Sequence, residues 1–266
     1  MSASDIVFQN KKIVFLDLDG TIYMGKVLIP GAREFLDFLE AKGLIFYFLS
    51  NNSSRSKSDY VTKLSKLGIG VEEDRIVLST DGVIAFLQDK KIKDLYVVGT
   101  KSMREMFSQA GFDTASLSPR FIVLGFDTEL TYEKLKTAAL FMQDGVELLA
   151  THPDLVCPTP EGFIPDTGSM LALLEKATGK KPLKIFGKPN PEMIAHILKK
   201  HGASPGHVLM IGDRIYTDME LARRVTCNSI LVLSGETKKE DIARIQQKPT
   251  LVVESVASLI PTGDVS

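Results

Sequence analysis

The chain has 266 residues, 44% hydrophobic and 24% charged, with a formal net charge of −1 at pH 7, the make-up of an ordinary folded protein long enough for two domains. Near-neutral charge without lysine or arginine blocks offers no electrostatic footprint for a nucleic-acid polymer or an anionic membrane, so small ligands are the expected partners. No apolar run approaches a bilayer span, residues 1–9 lack a basic segment followed by an apolar one, and Cys157 and Cys227 are too few for a disulfide framework and match no metal-ligand spacing, which together predict a cytoplasmic protein.

The first predicted strand is Ile13-Val14-Phe15-Leu16, which runs into Asp17-Leu18-Asp19-Gly20-Thr21. In extended backbone the side chains at i and i+2 share a face, so Asp17 and Asp19 are expected to project together from the strand's carboxyl end. Two adjacent carboxylates repel unless one holds a proton or a cation lies between them. Gly20 suits a tight turn, and this end of a strand is where ligands bind in open α/β sheets. A calcium loop also contains Asp-x-Asp, but it follows a helix and closes on Glu, whereas here a strand precedes and Gly directly follows the second Asp. A helix then opens at Pro30-Gly31, places Phe35, Leu36 and Leu39 on one face, and stops at Gly43. A second strand, 44–49, ends in Ser50-Asn51-Asn52-Ser53-Ser54 before a helix around 60–67.

From about residue 80 to 181 the chain is far longer than a simple crossover and carries its own alternation. Strands are expected at 95–98, 121–124 and 146–151, and helices at 102–110, 131–143 and 169–178, with a turn-rich segment at 158–168 and a stop at Gly179. Met103, Met106 and Phe107 form an apolar helix face and read as core. This stretch is read as an inserted domain, 81–181, in a core made of 1–80 and 182–266. The core resumes with a strand at 183–186 that ends in Gly187-Lys188-Pro189, and a helix from Pro191 that closes on Lys199, Lys200 and His201. Strand 208–211 follows, ending in Gly212-Asp213-Arg214, and strand 229–233, ending in Ser234-Gly235-Glu236-Thr237. His196 and His201 read as surface or cap residues, not ligands. Strands alternating with helices predict an α/β fold with a parallel sheet.

Four of these strand ends, Asp17-Leu18-Asp19-Gly20-Thr21-Ile22-Tyr23, Ser50-Asn51-Asn52, Gly187-Lys188-Pro189, and Gly212-Asp213-Arg214 through Thr217-Asp218, occur in an order that resembles the haloacid dehalogenase superfamily. Over nearly the whole chain the resemblance is to its branch of NagD-like, nitrophenylphosphatase and phosphoglycolate phosphatase proteins. It implies a Rossmann-like parallel-sheet core with an inserted α/β cap domain. It also implies Mg²⁺-dependent hydrolysis of a small phosphate monoester, such as a sugar phosphate or nucleotide monophosphate. Asp17 would attack phosphorus and form an aspartyl-phosphate, and Asp19 would protonate the leaving alcohol and then deprotonate water. Mg²⁺ would be held by Asp17, the Asp19 carbonyl and Asp213, with Asp218 supporting the metal's waters. Lys188, the Ser50 hydroxyl and the Asn51 backbone would hold the phosphoryl oxygens. His152, where relatives commonly carry Asn, and Asp166 lie in Pro- and Gly-rich segments of the inserted domain and read either as turn residues or as residues that overhang the site and select the leaving group. The presence of Asp19 argues for ester hydrolysis over dehalogenation. A phosphotransferase on the same scaffold, a phospho-accepting signalling domain and a binding protein without turnover stay open as alternatives. The oligomeric state also stays open, with a homodimer among the options.

Overall fold

The computed structural model describes residues 3–159, 161–244 and 248–261. The chain forms two compact units, one made of Met1–Ser50, Val61–Val77 and Ile197–Ser266, the other of Asn51–Tyr60 and Leu78–His196.

The first unit is built on a six-stranded sheet with the order Leu251–Val253, Asn228–Val232, Val208–Gly212, Ile13–Asp17, Ile45–Ser50, Ile76–Leu78. Every residue of the Ile13–Asp17 and Val208–Gly212 strands is buried, as expected for strands covered on both faces, which read as continuous apolar runs. The central strand pairs in parallel on both sides, with Phe15 opposite Met210 and Tyr47. Chain order reverses between these neighbours, so the carboxyl ends of Ile13–Asp17 and Val208–Gly212 flank a topological switch point, the usual crevice for ligands in such sheets. The helix predicted to open at Pro30-Gly31 spans Ala32–Ala41 and buries Phe35, Leu36 and Leu39.

The second unit carries a four-stranded parallel sheet with the order Lys184–Ile185, Glu147–Ala150, Phe121–Leu124, Leu95–Val98. Strand alternation sends Leu95, Val97, Val123 and Leu149 to one face, against Met103, Phe107 and Phe186. Val98, Ile122, Leu124, Leu148 and Ala150 go to the other, against Met142, Leu171 and Leu174. Both faces are therefore covered by helices.

The strand expected at 183–186 does not join the core sheet. Its ordered part, Lys184–Ile185, pairs with Leu149 and Ala150. A strand's apolar pattern gives its burial, not its partner; here Phe186 packs against Phe86 and into the core of the second unit, and Ile185 packs on the sheet's other face. The turn-rich segment is a hairpin, Val156–Thr159 against Gly162–Pro165, and Ile76–Leu78 and Leu251–Val253 are edge strands too short to show a period.

Candidate active site

In the first unit the sheet brings an acidic trio together. Asp17 ends the central strand and is buried. The chain leaves the strand there, because the Leu18 carbonyl accepts from the N–H groups of Thr21, Ile22 and Tyr23 at 3.3, 2.9 and 3.2 Å. Gly20 stands at φ +92° in this turn, and a Cβ on it would come within 2.7 Å of the Asp213 carboxyl carbon, so only glycine fits both the turn and its neighbour. Asp213 follows the Val208–Gly212 strand. Asp218 lies on a π-helical turn, Ile215–Met219, packed against Gly212, where it accepts the Arg214 N–H at 3.1 Å. One carboxylate oxygen each from Asp17, Asp213 and Asp218 falls within 4.8 Å of the others.

The electrostatics of the trio fit a hard divalent cation. Asp213 Oδ1 is buried without a hydrogen-bond partner among the described residues. Burial, with repulsion from Asp17 and Asp218, pushes the Asp213 carboxyl up to about 8, against the opposing Glu236 N–H and Arg214. Such a cluster cannot hold three negative charges without a counterion, and oxygen-only donors suit Mg²⁺ or Ca²⁺ over softer metals. Asp218, expected to support the metal's waters, lies beside the other two carboxylates.

Asp19 lies two residues past Asp17, beyond the end of the Ile13–Asp17 strand; Asp17 is buried while the Asp19 side chain is 53% exposed, and the two are near enough for the Asp17 charge to act on Asp19. Partial desolvation raises its pKa; Lys63, whose Nζ is 4.0 Å from Asp19 Oδ2, lowers it, and Asp17 raises it further. A raised carboxyl is what a general acid needs. Lys63 also sits 3.6 Å from the Tyr23 ring centroid. Nothing in its local sequence singled it out, since it is one of several lysines on the Lys57–Lys66 helix.

The second unit gathers the remaining motif residues, apart from Ser50, which ends its strand in the first unit. Asn51 and Lys188, 137 residues apart, are locked through the Asn51 side chain: the Lys188 N–H donates to Asn51 Oδ1 at 2.7 Å, and Asn51 Nδ2 donates to the Lys188 carbonyl at 2.9 Å. The same Nδ2 lies 3.2 and 3.1 Å from the Asp154 carboxylate oxygens. Lys188 is buried. The side-chain role of Asn51 and the participation of Asp154 were not anticipated; an amide beside an extended chain gives no sequence signal of its own.

His152 and Asp166 meet inside the second unit, with His152 Nε2 2.9 Å from Asp166 Oδ1. Nε2 is also 3.1 Å from Thr167 Oγ1, and Nδ1 is 2.9 Å from Thr151 Oγ1. Asp166 caps the Thr167–Thr178 helix by accepting the Thr167 N–H at 2.6 Å. The pair closes the base of the 156–165 hairpin. His152, Asp154 and Asp166 also have metal-ligand spacing, but both imidazole nitrogens are already engaged.

Residues 14–113 match the family described as haloacid dehalogenase-like hydrolase, and residues 185–259 match a second, HAD-hydrolase-like family. The chain is 34% identical over 249 residues to a dihydroxyacetone phosphatase of Corynebacterium glutamicum, covering 93% of this chain and 90% of that one. It is 31% identical to the ribonucleotide monophosphatase NagD of Escherichia coli, covering 93% and 98%. Among solved structures, a 4-nitrophenylphosphatase from Thermotoga maritima superposes with a TM-score of 0.92 at 39% identity, covering 97% of this chain and 98% of that one.

Proposed function

Because the chain belongs to the haloacid dehalogenase-like hydrolases, in their NagD-like branch, and is a phosphoric monoester hydrolase with a Rossmann-like core and an inserted α/β cap domain, we propose that it hydrolyses small phosphate monoesters through an aspartyl-phosphate on Asp17. The observation that carries this reading is the buried trio Asp17, Asp213 and Asp218 at the switch point, with a carboxylate oxygen on Asp213 that has no hydrogen-bond partner among the described residues.

Phosphate monoester hydrolysis is among the slowest uncatalysed reactions, and an enzyme must lower its barrier by about 20 kcal/mol or more. Asp17 forms a bond to phosphorus as the bond to the leaving oxygen breaks, which divides the reaction into two easier displacements. Asp19 gives its proton to the leaving alcohol, then takes one from the water that attacks the aspartyl-phosphate, releasing phosphate and restoring Asp17. Lys188, the Ser50 hydroxyl and the Asn51 backbone are assigned to the phosphoryl oxygens by their motif positions. Mg²⁺, held by Asp17, the Asp19 carbonyl and Asp213 with Asp218 supporting its waters, would supply the positive charge that offsets a carboxylate approaching a dianion.

We assign the substrate to small phosphate esters of the sugar phosphate or nucleotide monophosphate kind, in keeping with what the related phosphatases are named for. The hairpin base at His152 and Asp166 is assigned to leaving-group selection. We also infer a cytoplasmic location, because two cysteines are too few for a disulfide framework.

The test is turnover of 4-nitrophenyl phosphate by purified protein. Chelation should abolish it and Mg²⁺ should restore it. Full activity after exhaustive metal removal would overturn the mechanism.

A further inference from the structure

The segment Ser234-Gly235-Glu236-Thr237 follows the Asn228–Val232 strand and holds none of the residues assigned to chemistry, yet its polar groups converge on Asp213. The Glu236 N–H donates to Asp213 Oδ2 at 2.6 Å, and the Thr237 N–H donates to the Asp213 carbonyl at 3.3 Å. The Glu236 side chain pairs with Arg214, Nε to Oε2, at 3.0 Å. Ser234 Oγ donates to the Gly20 carbonyl at 2.6 Å, tying the same segment to the turn after Asp17. Lys238 Nζ donates to the Gly235 carbonyl at 2.9 Å, bracing the loop from its far side.

Packing makes the hold tighter. A Cβ on Gly235 would lie 2.5 Å from the Asp213 carboxyl carbon, and one on Gly20 would lie 2.7 Å from it; both would be nearer still to Oδ2. The carboxylate is therefore sandwiched between two glycine backbones from different strand ends. Its Oδ2 is turned to the Glu236 N–H, and its Oδ1 is buried beside Asp17 and Asp218 without a hydrogen-bond partner among the described residues.

We propose that Ser234, Gly235 and the Glu236 backbone form a clamp that sets the Asp213 carboxylate for the cation, so that magnesium affinity depends on a loop contributing no ligand. The proposal rests on the magnesium reading above and adds to it positioning residues that act through Asp213. Gly235 is not in the left-handed region, so alanine there strains no backbone and acts only by pushing the carboxylate off its seat. Groups that orient metal ligands typically change affinity by about 10–100-fold when altered.

The experiment measures Mg²⁺ binding alone, by calorimetry and by the Mg²⁺-dependent rise in Tm, in the absence of substrate. The parent is compared with Asp213→Asn, Gly235→Ala, Ser234→Ala and Gly70→Ala. Gly70 is exposed, outside the left-handed region, and has open space where a Cβ would go. The expected result is Kd weakened about 10–100-fold in Gly235→Ala and about threefold or more in Ser234→Ala, with Gly70→Ala unchanged and the metal-free Tm of Ser234→Ala near the parent's. Parent-like Kd in both loop variants, alongside impaired binding by Asp213→Asn, would overturn the clamp alone. Parent-like binding by Asp213→Asn would overturn the magnesium reading and the clamp with it. If Gly235→Ala fails to fold, Ser234→Ala decides by the same measure.

Discussion

Replacing Asn51 with Asp tests how Lys188 is held, because the substitution keeps the shape and changes one donor. The Lys188 N–H would still meet an oxygen, as it meets Oδ1 now at 2.7 Å, but the Lys188 carbonyl would lose the Nδ2 donor now at 2.9 Å. A buried carbonyl without a donor costs about 1–3 kcal/mol. The new carboxylate would also face Asp154, whose oxygens lie 3.1 and 3.2 Å from Nδ2. At an effective dielectric near 20, two like charges about 3 Å apart repel by about 5 kcal/mol, an upper figure because the pair relieves itself by binding a proton. Asn51→Asp should therefore melt about 6–12 °C below the parent at pH 8, taking about 3 kcal/mol and about 2–4 °C per kcal/mol, and recover part of that at pH 5. The recovery has a definite sign: repulsion raises the new carboxyl's folded-state pKa, so the stability that its proton gives is present at low pH and lost as pH rises. Asn51→Ala, which strands both backbone groups of Lys188, should cost about 2–6 kcal/mol with no such pH dependence. Thermal melts of the whole chain at both pH values are the assay. An Asn51→Asp protein that melts with the parent at pH 8 would refute the bracket.

In single-turnover phosphoenzyme formation, Asp17→Asn should remove the reaction with every ester, whereas Asp19→Asn should slow alkyl esters by about 10²–10⁴ and leave nitrophenyl phosphate little changed. Equal losses from both ester types would refute the role given to Asp19. For the metal-free chain, Asp213 rises from 3.8 to about 8 on folding, so the folded state holds that proton more tightly and the linked stability, complete at low pH, is lost as pH climbs through this window. Melting temperatures in chelator should show that fall in the parent and a flatter profile in Asp213→Asn; identical slopes would count against it. Asp166→Ala removes both a helix cap and one of the two partners of His152 Nε2, at a cost of about 2–3 kcal/mol. If the hairpin base selects the leaving group, the order of kcat/KM across an ester panel should also change, and a uniform drop would leave these residues a purely structural role.

The local pattern of the chain was enough to place the candidate acidic residues at strand ends. Continuous apolar runs at Ile13–Asp17 and Val208–Gly212 carried Asp17 and Asp213 to the carboxyl edge of a sheet, and the period of Phe35, Leu36 and Leu39 fixed the buried face of the Ala32–Ala41 helix. These signals are local, set by the alternation of a strand and the 3.6-residue turn of a helix. The match to haloacid dehalogenase-like hydrolases over residues 14–113 and 185–259 agrees with the family read from the strand-end motifs.

Partnership at long sequence separation was decided only by the tertiary structure. The 183–186 run reads as a core strand, yet its Lys184–Ile185 part pairs with Leu149 and Ala150, because a strand's pattern does not specify its neighbour. The turn that starts at the Leu18 carbonyl sets the exposure of Asp19, while Asp218 joins Asp17 and Asp213 through a π-helical turn no periodicity announces. The Asn51 bracket on Lys188, the His152–Asp166 pair and the 234–237 loop on Asp213 join residues whose own neighbourhoods read as turns. A polar side chain in a turn can be satisfied by water or by its own backbone. Which buried group it meets instead depends on how the sheets fold, and that is a property of the whole chain.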